Sequence, residues 1–356
     1  MKSKKNLKLL LINPYGIGDA LFISPIIRTL KKAYPDGKIG LLLGSRTRAL
    51  FENNPDVNII FDYNKDIYKS LNFIQKISFH LKLNQHIRKE SFDVCIDFSN
   101  TDEYTFLAKW AWKIPRRIGF QYKNRGRHLT DKIRLEKDFS RYHVVSHYYQ
   151  LLSPLEISSP LFEHRLYFYP APLPVTPIVT QKPLVCILPG GGESWGKEAS
   201  YKLWPVSHYI TLVNQLIKEA HVDIALVGGK IDAPLCQEIE TQLSYPIYNL
   251  CGKTSLKELA DVLAQADLVV GTESGPLHLA TAMDKKAILI YGPVDPLSYG
   301  PYSDTRRQVA LFEKLPCQPC YKEFRIPKCS NHLCLKELSP ERVFKAAKEL
   351  LTSKPQ

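Results

Sequence analysis

Long apolar runs are missing from this chain. No stretch of its 356 residues reaches the ~18 consecutive apolar residues that a membrane-spanning helix needs. The amino-terminal lead, MKSKKNLKLLLINPYG, is basic and then apolar. Its apolar run at residues 9–12 nevertheless falls far short of the ~7–15 residues of a secretory signal core. A first buried strand accounts for it better, and the protein is expected to stay in the cytoplasm. The chain also lacks an internal repeat of solenoid period. With 44% hydrophobic and 23% charged residues it is not a disordered sequence either.

Negative charge is scarce in one half only. Residues 1–150 hold 27 Lys and Arg against 14 Asp and Glu, while residues 151–356 hold 21 of each, so the whole net charge of +13 sits in the first half. Such asymmetry implies an anionic partner for that half: nucleic acid, an acidic lipid surface, or a phosphorylated or carboxylated substrate. Disulfides are not expected. Of the eight cysteines four are scattered, and Cys317, Cys320, Cys329 and Cys334 cluster late, which in a cytosolic chain favours thiols or a metal.

What is present is alternation. Strands are expected at residues 7–13, 38–43, 57–61 and 93–98, with helices at 20–34, 48–53, 67–89 and 143–152 between and after them. Pro25 lies within the first turns of the helix 20–34 and predicts a kink or a late start. The stretch RRIGFQYKNRGRHLTDKIR, residues 116–134, reads as a basic loop facing an anion. Prolines at 154, 160, 170, 172, 174, 177 and 183 mark an extended connection. Strands then resume at 184–188, 223–227 and 247–250, with helices at 205–219, 233–242 and 255–265, the last capped by Thr254 or Ser255. A final helix is expected at 340–351 with Ser339 as its cap. This is an α/β chain of two doubly wound, parallel halves.

The most informative stretch is LVVGTESGPLHLATAMDKKAILIYGPVDPLSYGPY, residues 268–302. An apolar, β-branched strand runs into Thr272-Glu273-Ser274-Gly275, Pro276 takes the first helical position, and a second strand starts at Ala287. In an open parallel sheet the turn after such a strand is where ligands bind, and the helix amino end favours an anion. The segments TESGPLHLA and YGPVDPLSYGPY resemble the donor-binding signature of the lipopolysaccharide heptosyltransferases, glycosyltransferase family 9. That family has D-[ST]-G-[PL]-x-H and then G-P-T-D-P; here Glu273 stands where it most often has Asp. Near the other end, GIGDA after the first strand resembles the family's G-x-x-G-D, so the likeness covers most of the chain.

The resemblance implies a GT-B fold, two Rossmann-like domains facing a central cleft. It would divide the chain into an acceptor domain at 1–165, a linker at 166–182, a nucleotide-sugar domain at 183–338, and a terminal helix at 339–356 packing back on the first domain. It implies an inverting transfer that needs no cofactor, from a nucleotide-diphosphate sugar such as ADP-heptose to the core of a lipid A–anchored acceptor, by an enzyme held peripherally at the inner membrane. Asp19 would be the general base, and Lys202, in KLWP, the cation that meets the departing diphosphate. Gly190, Gly191, Gly192, Glu273, Ser274, Gly275, Pro276 and His278 would bind the donor. Gly18, Arg116, Arg117, Lys123, Arg125 and Arg127 would bind the acceptor. Asp19, Lys202 and His278 would have to share one space.

Plainer readings stand beside these: Asp19 as a helix cap, His278 as a core histidine, Lys202 as a flank to Trp204. C-x2-C-x8-C-x4-C also permits a structural zinc on Cys317, Cys320, Cys329 and Cys334, with His332 nearby. Another nucleotide-sugar donor, a sugar-nucleotide epimerase and a non-catalytic sugar-binding paralogue remain open. Nucleic-acid binding is not expected, because Tyr104, Phe106, Trp110 and Trp112 read as core and not as a stacking platform.

Overall fold

The computed structural model describes residues 6–63, 70–171, 178–303 and 305–353. The start of the expected helix at 67–69 lies outside them. So do the centre of the Pro-rich connection, with Pro172, Pro174 and Pro177, and the chain ends at 1–5 and 354–356. The chain forms two compact units, residues 1–164 and 165–356.

The first unit starts on β1 (Lys8–Asn13), whose residues after Lys8 are all buried, as a central parallel strand covered on both faces requires. Helices α1 (Ile17–Phe22) and α2 (Ser24–Ala33) follow. The single helix expected here is therefore two. Pro25 occupies the start of α2, where its missing N–H costs nothing, and Ile23 joins the pieces. Next come β2 (Lys38–Gly44), β3 (Ile59–Tyr63), α3 (Phe73–Glu90), β4 (Val94–Asp97), α4 (Asp102–Trp110), β5 (Arg116–Gln121), β6 (Asp131–Arg134) and α5 (Val144–Gln150). Among the described residues the sheet order is β3-β2-β1-β4-β5-β6, all parallel. The basic stretch 116–134 is thus not one loop. Both its ends are strands, hidden from pattern reading because their apolar content is low.

The second unit repeats the plan with β7 (Leu184–Leu188), α6 (Val206–Ala220), β8 (Asp223–Leu226), α7 (Ala233–Thr241), β9 (Tyr248–Asn249), α8 (Leu256–Gln265), β10 (Leu268–Thr272), α9 (Gly275–Ala282), β11 (Ala287–Ile290), β12 (Gln308–Leu311) and α10 (Pro340–Thr352). Its parallel order, β12-β11-β10-β7-β8-β9, is that of the first sheet. Ser255 and Glu258 close a reciprocal capping box on α8.

Helix α10 contributes to the core of the second unit. Val343, Phe344, Ala347 and Leu350 bury one stripe in the second unit's own core, beside Trp204 and Leu212, and the Trp204 indole donates to the Leu338 carbonyl at 2.9 Å. The expectation of no disulfide fails. Cys236 on α7 and Cys251 after β9 lie with Cα atoms 6.4 Å apart and are joined as a disulfide.

Candidate active site

In the second unit the glycine loop and the start of α9 meet at the carboxyl end of the sheet. Thr272, the last residue of β10, donates its hydroxyl to the Gly190 carbonyl at 2.9 Å. A Cβ on Gly190 would stand 2.2 Å from an Asp232 carboxylate oxygen, whose partner oxygen accepts from the Gly229 amide, so a larger residue would displace that carboxylate. Gly192 has φ +93, a conformation other residues rarely adopt. Ser274, extended at φ −162, is the residue preceding α9, and Gly275 and Pro276 open the helix.

Three ionisable groups converge behind this turn. Lys202 approaches one oxygen of Glu273 at 2.5 Å, and His278 Nε2 lies 3.2 Å from the other. Lys202 is 3% exposed, Glu273 9% and His278 1%. Burial by itself would push the Glu273 carboxyl up. The Lys202 charge and the His278 hydrogen bond overcome it and hold the carboxyl at about 2. The Lys202 ammonium also stands 4.5 Å over the Trp195 ring. Burial, and then the Glu273 charge, push the Tyr291 phenol well above its ordinary value.

In the first unit the turn after β1 carries Gly18 and Asp19. Gly16, not Asp19, is the residue preceding α1, and Asp19 sits half-buried in the first turn, where the helix dipole favours a carboxylate. The side chain of Asn13 clamps this turn: its amide donates to the Asp19 carbonyl at 2.9 Å and its oxygen accepts from the Tyr15 amide at 3.3 Å. The Tyr15 hydroxyl donates to the Ser99 carbonyl, tying the turn to the exit of β4. Asp97 closes β4 beside Ile12 of β1 and accepts from the Ser99 amide at 2.8 Å. It is fully buried, and burial raises its carboxyl to about 7. Burial, then Asp97 and Asp19, push the Tyr15 phenol up to about 12.

Asp97, Tyr15 and Asn13 were not expected from sequence. The one available signal was a carboxylate, Asp97, late in the apolar strand at 93–98. Asp19 belongs to one unit, and Lys202 and His278 to the other.

The basic residues separate into two kinds. Arg116 spends its guanidinium on Asp131, at 2.9 and 3.1 Å, and on the Pro154 carbonyl. Arg117 spends its own on the carbonyls of Ile114, Pro115 and His128. Both therefore join strands and loops together. Lys123, Arg125 and Arg127 are exposed between β5 and β6, with Arg125 donating to the Asn100 carbonyl and Arg127 set 3.8 Å from Asp102.

The zinc site that the cysteine spacing permits is not assembled among the described residues. Among the described residues no group of three or more His, Cys, Asp or Glu is placed to hold a metal. Cys317 and Cys329 are open to solvent, and burial, followed by the charges of Cys320, Cys317 and Cys329, keeps the Cys334 thiol up at about 11.

Two doubly wound parallel sheets of the same order in one chain are the GT-B glycosyltransferase architecture. The structure of "glycosyl transferase family 9 from Veillonella parvula DSM 2008" shares it, with a TM-score of 0.78 at 20% identity over 98% of both chains. So does that of "E. coli ADP-heptose lps heptosyltransferase II", at 0.76 and 23% over 97% of this chain and 98% of the other. The chain belongs to glycosyltransferase family 9 (heptosyltransferase), whose sequence profile matches residues 80–330. Lipooligosaccharide heptosyltransferase 2 of Campylobacter jejuni serotype O:2 is 28% identical over 97% of this chain and 98% of its own. Lipopolysaccharide heptosyltransferase 2 of Salmonella typhimurium is 25% identical over 97% and 99%. The protein is thus a glycosyltransferase, as its two end motifs imply.

Proposed function

We propose that this chain transfers a heptose, with inversion, from an ADP-linked heptose to the inner core of a lipid A–anchored acceptor at the cytoplasmic face of the inner membrane. The observation that carries this reading is the buried Lys202–Glu273–His278 cluster behind the amino end of α9, in a chain of the heptosyltransferase family. Asp19 takes the proton of the acceptor hydroxyl as its oxygen bonds to C1 of the sugar. The C1–O bond breaks and its electron pair leaves with the diphosphate.

A carboxylate is a weak base for an alcohol, but it acts late, when bonding has already acidified the hydroxyl. Lys202 and the α9 dipole offset the charge gathering on the leaving group. Glu273 holds the ammonium in place beforehand, so little reorganisation is left to the moment of transfer. Ser274, Gly275 and the glycine loop of Gly190, Gly191 and Gly192 bring backbone close to the diphosphate and sugar. Lys123, Arg125 and Arg127 meet phosphates and carboxylates on the acceptor.

A thermal-shift panel setting ADP-heptose beside UDP- and GDP-linked sugars tests the donor; equal shifts with all three would remove the proposed specificity. Asp19→Ala is expected to lower transfer by about 10²–10⁴-fold with ADP-heptose binding intact. Loss of donor binding in that variant would make Asp19 structural instead.

A further inference from the structure

Helix α4 is only half accounted for by its own core. Tyr104, Thr105 and Ala108 are buried, and the following Trp112 is held by its indole N–H on Asn84 at 2.7 Å. The outer face breaks the expectation that all four aromatic residues here are core: Phe106 is 48% exposed and Trp110 52%. Four residues apart, they share one stripe of the helix. Lys109 and Lys113 crowd the indole from above, with ammonium groups 4.6 and 5.7 Å from its centroid. Phe106 meets His128 edge-on at 5.4 Å, which joins this stripe to the connection bearing Lys123, Arg125 and Arg127.

We propose that the outer face of α4, Phe106 and Trp110 with Lys109 and Lys113, docks on the surface of an anionic lipid bilayer. This rests on the reading that the acceptor is lipid-anchored. An interfacial tryptophan places its apolar ring below the headgroups and its N–H among them, and lysine stems run along such a ring to bring their charge to lipid phosphate. The half of the chain that bears this face carries the whole net charge of +13.

A nucleic-acid strand fits the face less well. Bases need open ring faces to stack on, and here an ammonium already stands over the indole.

The test uses the full-length protein and acceptor-free vesicles of phosphatidylethanolamine with phosphatidylglycerol, against vesicles of phosphatidylcholine. The wild type is expected to sediment with the anionic vesicles only, less so in high salt, with a blue shift of tryptophan emission. Phe106→Ser with Trp110→Ser is expected to weaken this at least about tenfold, while transfer to a deacylated, water-soluble acceptor keeps its wild-type rate. Lys109→Gln and Lys113→Gln are each expected to cost about fivefold.

Equal sedimentation of the double-serine variant, or no preference of the wild type for anionic vesicles, overturns the proposal. So does loss of RNA binding in that variant with vesicle binding retained, which would make nucleic acid the occupant. Sedimentation that follows the expected pattern in a protein that transfers no heptose upholds the docking face and overturns the functional reading instead.

Discussion

The two sheets of this enzyme invite direct comparison, because each ends a corresponding strand in one buried carboxylate. Asp97 closes β4 and Glu273 follows β10, and both strands pair with the first strand of their own sheet. Burial penalises the charge of both. Yet the Asp97 carboxyl rises to about 7, while that of Glu273 falls to about 2. The difference lies in what shares the site. Asp97 has the Ser99 amide and, beyond it, the like charges of Asp102 and Glu103. Glu273 has an ammonium on one oxygen and an imidazole on the other. Position in the fold brings a carboxylate to the place where ligands bind; its partners decide whether it is a proton carrier or a fixed charge.

The sharpest way to break the comparison is Lys202→Met. It leaves Glu273 buried with no cation on that oxygen and only the His278 imidazole on the other, and is expected to cost about 3–5 kcal/mol in chemical denaturation. Turnover should fall more than about 10²-fold, since the leaving group also loses its cation. Unchanged stability would mean that water already compensates the carboxylate.

Glu273→Asp asks a narrower question. Shortening the side chain by one methylene is expected to release one of its two partners and lower kcat/KM about tenfold, measured with saturating acceptor. Wild-type kinetics would show that the extra methylene does nothing for the cluster.

The effect of pH is spread over several units, and the two carboxylates should give it opposite signs. Glu273 titrates lower when folded than its ordinary 4.5, so its contribution to stability is complete above that pH and is lost as pH falls toward about 2. Asp97 titrates higher than its ordinary 3.8, so the folded state holds a proton that the unfolded chain releases. Stability therefore declines as pH rises from about 4 to about 7, by at most about 1.4 kcal/mol per pH unit. Asp97→Asn should flatten that decline in a Tm-against-pH profile and leave the acid limb unaltered. A decline that persists in the variant would place its origin elsewhere.

Alternation of apolar runs with Gly- and Pro-bearing turns was enough, in sequence, to read two parallel α/β halves. The Leu9–Ile12 core of β1, the Val269–Val270 core of β10 and the Ser255 and Ser339 caps are local signals, because period, propensity and capping act within a few residues. The end motifs around Asp19 and Glu273 led to the family for the same reason.

What only the tertiary structure decided is pairing between residues remote in sequence. It set Lys202 against Glu273, bonded Cys236 to Cys251, turned Arg116 onto Asp131, and seated α10 in the second core. It also left Phe106 and Trp110 facing outward while Tyr104 and Trp112 went in. Desolvation and charge depend on distances that close only when strands and helices pack, so no window along the chain carries them.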